Sequence, residues 1–314
     1  MTQYLARRGI YLLVQLLVVA TVVFMLLRLV PGDPARAILG DTATEEQVAR
    51  VRHQLGLDQP IYRQYVSWMA DVLRGDLGTS ITSGRPVATD VRDRLGNSLE
   101  LIVLATALSL IIGLPLGIIA GLRANRLPDF VLSAAAMLGL SLPGFVVGTV
   151  LLLIFALRLR WLPQTQFVEW SEDPAGHFKL VILPVLTLAA STVAVIMRMT
   201  RSSMLEVVRQ DYIKLARAKG LSERTVILRH ALRNAINPVV SVVGLELATL
   251  LGGTVIVETI FGWPGLSSLL IAGVRARDYP VVQGVVLLIA VLTILINIAV
   301  DIAYAVLDPR IRVS

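Results

Sequence analysis

Apolar residues gather into six long runs separated by polar segments. Gly9–Leu27, Leu101–Leu122, Phe130–Leu157, Leu180–Met197 and Tyr279–Val300 contain no charged residue, and Ala235–Val257 contains only Glu246. A helix rises about 1.5 Å per residue and needs about 20 apolar residues to cross roughly 30 Å of hydrocarbon. The pattern therefore predicts an all-α polytopic membrane protein with six transmembrane helices. Arg7 and Arg8 precede the first run as in a signal peptide, but the run is too long for a signal-peptide core. Leu29-Val30-Pro31-Gly32 also offers no small-residue cleavage site, so it is predicted to be a retained span.

These runs set the organisation. Residues 1–30 hold the N-terminus and first span, and 31–98 form an extracytoplasmic loop with short helices. Residues 99–306 form a five-helix core with spans at 101–122, 130–157, 180–197, 235–257 and 279–300 and a cytoplasmic loop at 198–234. Residues 307–314 are a cytoplasmic tail. In the outer loop, Thr44-Glu45-Glu46-Gln47 reads as a capping box opening a helix that ends near Gly56. After Pro60, Ile61, Tyr65, Trp68, Met69 and Val72 recur at helical spacing up to Gly75, a stripe suited first to packing. Trp161, Trp170 and Trp263 are expected as interfacial anchors in the shorter outer loops.

Gly113, Gly117 and Gly121 stand four residues apart, a face that lets another helix approach closely. Pro115 is expected to kink that span. Gly139, Pro143, Gly144 and Gly148 in the third span, and Gly244, Gly252 and Gly253 in the fifth, extend the pattern of close, bendable helices. In the cytoplasmic loop, Leu205, Val208, Tyr212 and Leu215 are predicted to share one apolar face flanked by Arg209, Lys214 and Arg217. Gly220 ends that helix, and Ser222 caps a second one carrying Val226, Ile227 and Leu228. Pro238 falls where the chain re-enters the bilayer.

Composition agrees: 55% of the 314 residues are hydrophobic and 16% charged, with a mean hydropathy of +0.74. The net charge of +7 gains meaning from its distribution. With the N-terminus inside, the cytoplasmic segments hold 15 Lys/Arg against five acids, whereas loop 31–98 holds eight Arg against nine acids. Basic loops stay cytoplasmic, which places both termini inside a plasma membrane and leaves the basic loop to face lipid head groups or a partner. Nothing remains to indicate nucleic-acid binding.

The chemistry is mostly exclusion. Cysteine is absent, so no disulfide, thiol nucleophile or Cys-ligated metal exists. No Gly-x-x-x-x-Gly-Lys-Ser/Thr loop occurs, so the chain is expected to bind no ATP itself and to be no enzyme. His53, His177 and His230 are expected on separate loops without metal-ligand spacing. An ion-coupled secondary transporter or channel, the alternative class, would show ionisable groups at mid-membrane. Glu246 alone qualifies clearly, as a candidate pathway contact or a packed carboxyl, while Arg198 and Asp301 near span ends read as structural.

Asp211-Tyr212-Ile213-Lys214-Leu215-Ala216-Arg217-Ala218-Lys219-Gly220-Leu221-Ser222-Glu223-Arg224, continuing to His230-Ala231-Leu232-Arg233-Asn234-Ala235, closely resembles the coupling loop of dipeptide, oligopeptide and nickel ABC permeases. The likeness extends over nearly the whole chain. It includes Arg28-Leu29-Val30-Pro31-Gly32-Asp33-Pro34, Leu55-Gly56-Leu57-Asp58-Gln59-Pro60 and Gly75-Asp76-Leu77-Gly78-Thr79-Ser80. It continues in Val257-Glu258-Thr259-Ile260-Phe261-Gly262-Trp263-Pro264-Gly265-Leu266, Arg277-Asp278-Tyr279-Pro280 and Leu307-Asp308-Pro309-Arg310-Ile311-Arg312. The resemblance implies the type I ABC importer permease fold and a binding-protein-dependent importer of peptides or similar solutes.

By that resemblance Ala216, Arg217, Lys219, Gly220, Leu221, Ser222, Glu223, Arg224 and Ile227 couple the permease to an ATPase, with Ala216 and Gly220 shaping a short helix that sits in the ATPase groove. It further implies a second homologous permease, two ATPase subunits that use ATP and Mg, and an extracytoplasmic solute-binding protein. Lys214 departs from the general importer pattern, which has glutamate there, so an acidic contact at that position is not carried over.

Overall fold

The computed structural model describes residues 2–29, 36, 43–54, 56–163 and 167–307. The tail run from Asp308, the whole stretch 30–34 and Leu55 lie outside the described residues. Among the described residues twelve helical elements follow in chain order: α1 (Thr2–Leu29), α2 (Glu45–Gln54), α3 (Ile61–Leu73), α4 (Val87–Leu122), α5 (Leu127–Ser141) and α6 (Gly144–Leu151, continued as a π-helical turn Leu152–Arg158). After these come α7 (Pro174–Val208), α8 (Asp211–Ala218), α9 (Glu223–Thr225, continued as a π-helical turn Val226–Ala231), α10 (Leu232–Phe261), α11 (Leu266–Arg275) and α12 (Tyr279–Leu307). Among the described residues the only β feature is an isolated antiparallel bridge between Thr79 and Pro86.

Among the described residues four helices are long and apolar enough to span, and a fifth span arises if α5 and α6 count together. The sequence predicts one straight run over 130–157. Instead the chain bends by 98° between α5 and α6, because Pro143 lacks an amide hydrogen and disfavours helical backbone in Leu142, which is extended at ψ 121°. Pro115, by contrast, lies inside an unbroken α4. The first apolar run lies in α1, whose described apolar part is the shorter Val14–Met25.

The contacts divide the chain into two compact units, Met1–Asn97 with Pro264–Ile294, and Ser98–Trp263 with Leu295–Ser314. Pro264–Ile294, placed by the sequence division in the five-helix core, groups here with the outer loop, which packs on residues distant in sequence. In the first unit, Thr44 and Gln47 form the reciprocal capping box: the Thr44 amide donates to Gln47 Oε1 (2.9 Å) and the Gln47 amide to Thr44 Oγ1 (3.4 Å). The α3 stripe packs against α1, with Tyr65 and Trp68 rings 5.2 and 5.3 Å from the fully buried Phe24. Ile61 alone of the stripe is exposed. Asp278 joins the segments after Gly75 and Arg277, accepting from Ser80 Oγ (2.6 Å) and the Thr82 amide (3.1 Å). Beneath lies a core of Val87, Val91, Leu266, Leu269, Val281 and Val285.

In the second unit, α4 and α7 meet along the glycine face. A Cβ on Gly113 would lie 2.9 Å from Ile196 Cγ2, one on Gly117 2.5 Å from Thr200 Cβ, and one on Gly121 2.8 Å from Met204 Cβ. Each glycine faces the residue one helical turn further along α7, so the two backbones run close for more than two turns.

Candidate coupling loop and mid-span carboxylate

α7 continues past the predicted span end to Val208 and delivers the chain, through the turn Arg209–Gln210, to α8. The predicted shared face is therefore corrected. Leu205 and Val208 belong to α7, and the turn before α8 resets the helical phase. Tyr212 and Leu215 are exposed, at 42% and 56%, while Ile213 and Ala216 turn inward. Those two residues join Met204, Val226, Ala231 and Ala235 in a buried cluster. Ala216 thus fixes α8 to its base and offers no outward surface.

The loop closes by backbone chemistry. The Gly220 amide donates to Arg217 O (2.9 Å) and the Leu221 amide to Ala216 O (3.4 Å), a Schellman ending. Gly220 sits at φ 77° with open space where a Cβ would stand, so backbone conformation, not crowding, calls for glycine there. Ser222 Oγ then accepts the Thr225 amide (3.4 Å), capping α9. Across the turn the Arg217 guanidinium donates twice to Glu223, Nε to Oε2 at 3.1 Å and Nη2 to Oε1 at 2.7 Å. Lys214 donates to Asp211 Oδ1 (2.8 Å) and holds that carboxyl below its ordinary range.

The outward surface consists of Lys214, Leu215, Arg217, Lys219, Gly220, Leu221, Ser222, Glu223 and Arg224, all exposed; Ile227 is half-buried against the cluster. The inner side is apolar and locked, and the outer side mixes basic groups with the exposed Leu215 and Leu221. The π-helical turn at Val226–Ala231 carries the loop into α10.

Glu246 lies within α10, half-buried and far along the chain from the loop. Its Oε2 accepts from the fully buried Thr192 hydroxyl of α7 (3.2 Å).

Sequence reading missed three other polar sites. Asp129, 3% exposed, accepts from Arg201 Nη2 (2.8 Å) and Nε, from the Asn125 amide (2.9 Å) and from Ser133 Oγ (3.3 Å). Glu258, fully buried, accepts from Ser98 Oγ (2.6 Å). His177, expected on a loop, is buried in the first turn of α7, with Nε2 2.9 Å from Glu100 Oε1 and Nδ1 2.7 Å from Val168 O. Trp263, expected as an interfacial anchor, is 3% exposed and lies 5.4 Å from that imidazole, while Trp161 and Trp170 are exposed. Partners of 72, 160 and 77 residues' separation leave no periodic signal.

Two family profiles cover the chain: "Binding-protein-dependent transport system inner membrane component" over residues 113–313 and its N-terminal counterpart over residues 1–101. A probable peptide ABC transporter permease of Sinorhizobium fredii is 42% identical over 309 residues, covering 98% of this chain and 99% of that one. The glutathione transport system permease proteins of Salmonella typhi and Escherichia coli K12 are 44% and 42% identical over 312 residues, each covering 99% of both chains. An inward-facing structure of the MetNI methionine ABC transporter shares the fold at TM-score 0.56 and 17% identity, over 69% of this chain and 96% of that one. An amino acid ABC transporter does so at TM-score 0.53 and 18% identity, over 69% and 93%. The chain belongs to the family of binding-protein-dependent transport system inner membrane components, the multi-pass permeases of ABC importers.

Proposed function

We propose that the chain is one of two homologous permeases lining a pathway through the cytoplasmic membrane, with two ATPase subunits on the inner side, one of them docked at the 211–224 loop, and an extracytoplasmic binding protein delivering solute. The cargo is a di- or oligopeptide or a related small solute such as glutathione, a reading supported by full-length likeness to peptide and glutathione permeases. ATP and Mg belong to the partner ATPases, and this chain holds no cofactor. The basic excess of 198–234 supports a cytoplasmic position for the loop and for both termini. The ion-coupled alternative gains nothing from the relatives.

One observation carries the docking assignment. The loop presents Leu215, Gly220, Leu221 and Arg224 outward while Ile213, Ala216 and Val226 anchor it to the spans, so force applied outside reaches α7 and α10. Closure of the ATPases on ATP would move that surface, and the spans would alternate between outward and inward access.

Gly220→Pro tests this. Proline cannot adopt φ 77° and removes the amide that donates to Arg217 O. Uptake should be lost in the assembled transporter while ATP hydrolysis no longer responds to loaded binding protein, and the chain should still insert. Unchanged uptake would refute the coupling role.

A further inference from the structure

Glu246 is a titratable group within α10 that the docking loop does not use. Among the described residues Thr192 is its one side-chain partner; Thr192 shares its hydroxyl between Glu246 Oε2 (3.2 Å) and Leu188 O (3.4 Å), and Oε1 has no hydrogen-bond partner. A carboxylate deep in a span is costly unless a counter-charge or water meets it. No basic side chain in the described residues pairs with it.

The helix face beside it is equally unusual. Leu245, Thr249, Gly252, Gly253, Ile256 and Thr259 form the exposed stripe of α10. A Cβ on Gly252 or Gly253 would meet nothing within 4 Å. The exposed residues of α4 between 103 and 119 include Val103, Leu104, Ile111, Ile112 and Ile119, the composition that lipid calls for. The α10 stripe instead sets two threonines and two uncrowded glycines among Leu245 and Ile256, beside a half-exposed carboxylate, and leaves open space over the glycines.

We infer that Glu246, oriented by Thr192, receives the protonated amino group of the transported solute as it crosses the middle of the membrane. The inference rests on the importer reading above. The complement is chemical: peptides and glutathione carry a free α-ammonium group, which supplies the missing positive charge and donates to the open Oε1. Thr192 acts by positioning the carboxylate and does not itself touch the solute.

The test uses the assembled transporter in liposomes with saturating, loaded binding protein. In Glu246→Gln, uptake of a peptide with a free amino group should fall about tenfold, the size of one charged hydrogen bond. The variant complex should assemble with its ATPase subunits as the parent does, and the preference for free-amine over N-acetylated peptide should shrink. Glu246→Asp should restore most of the uptake and the preference. Undiminished uptake in Glu246→Gln, or an inactive Glu246→Asp, overturns the assignment and leaves the importer reading intact. A parent complex that neither imports peptide nor hydrolyses ATP would instead overturn the importer reading, and this inference with it.

Discussion

The second unit contains two arginine–carboxylate pairs of similar geometry in opposite surroundings. Arg201 and Asp129 join α7 to the start of α5, with the Asp129 side chain 4% exposed, whereas Arg217 and Glu223 bridge the docking loop at 37% and 56% exposure. In water the gain from bringing two charges together nearly cancels against lost hydration and side-chain freedom. In a buried site the remaining partners of Asp129 are neutral, so removing its arginine leaves an uncompensated charge. The buried pair therefore holds the frame, and the exposed pair shapes the surface proposed to meet the ATPase. Asp129 strengthens the frame by also accepting the Asn125 amide, tying the α4–α5 turn at φ 60° to the same knot.

Single substitutions can break this contrast. Arg201→Ala should lower the unfolding free energy by about 3–5 kcal/mol, seen as the largest fall in apparent Tm of the detergent-solubilised chain; Asp129→Asn in the same chain should recover part of it. Gly117→Val should come next at about 1–3 kcal/mol, because its Cβ would meet Thr200 Cβ at 2.5 Å and Met197 O at 2.6 Å. Gly220→Ala should cost about 1 kcal/mol through its left-handed backbone, with a larger effect on ATPase stimulation than on Tm. Arg217→Ala should change stability by less than about 1 kcal/mol, and that change should vanish in high salt. Should Arg217→Ala destabilise as much as Arg201→Ala, the contrast between the two pairs fails.

Local chemistry was legible in the sequence and distant chemistry was not. The Thr44–Gln47 box, the Ser222 cap and the stop at Gly220 are each written within a few residues, and the structure forms them there. The apolar runs located the long helices but not the 98° bend, because hydropathy stays high through Pro143 whichever way the chain turns. The α8 face was misread because the turn at Arg209–Gln210 resets the helical phase, so periodicity carried across it pointed to Leu215 instead of Ile213 and Ala216. Asp129 with Arg201 and Ser98 with Glu258 are set by how helices pack, and no spacing rule reaches across that distance.

Cross-linking tests directly whether the exposed turn after α8 docks an ATPase. The chain has no cysteine, so Leu221→Cys gives a single thiol on the outward surface and Trp170→Cys a control near the start of α7. Each variant would be treated in native membranes with a short thiol-to-lysine cross-linker, purified, and analysed by mass spectrometry. Leu221→Cys should yield an adduct with an ATPase subunit, and Trp170→Cys none. A Leu221→Cys chain that yields no ATPase adduct, with the intact ATPase co-purifying, would contradict the docking assignment.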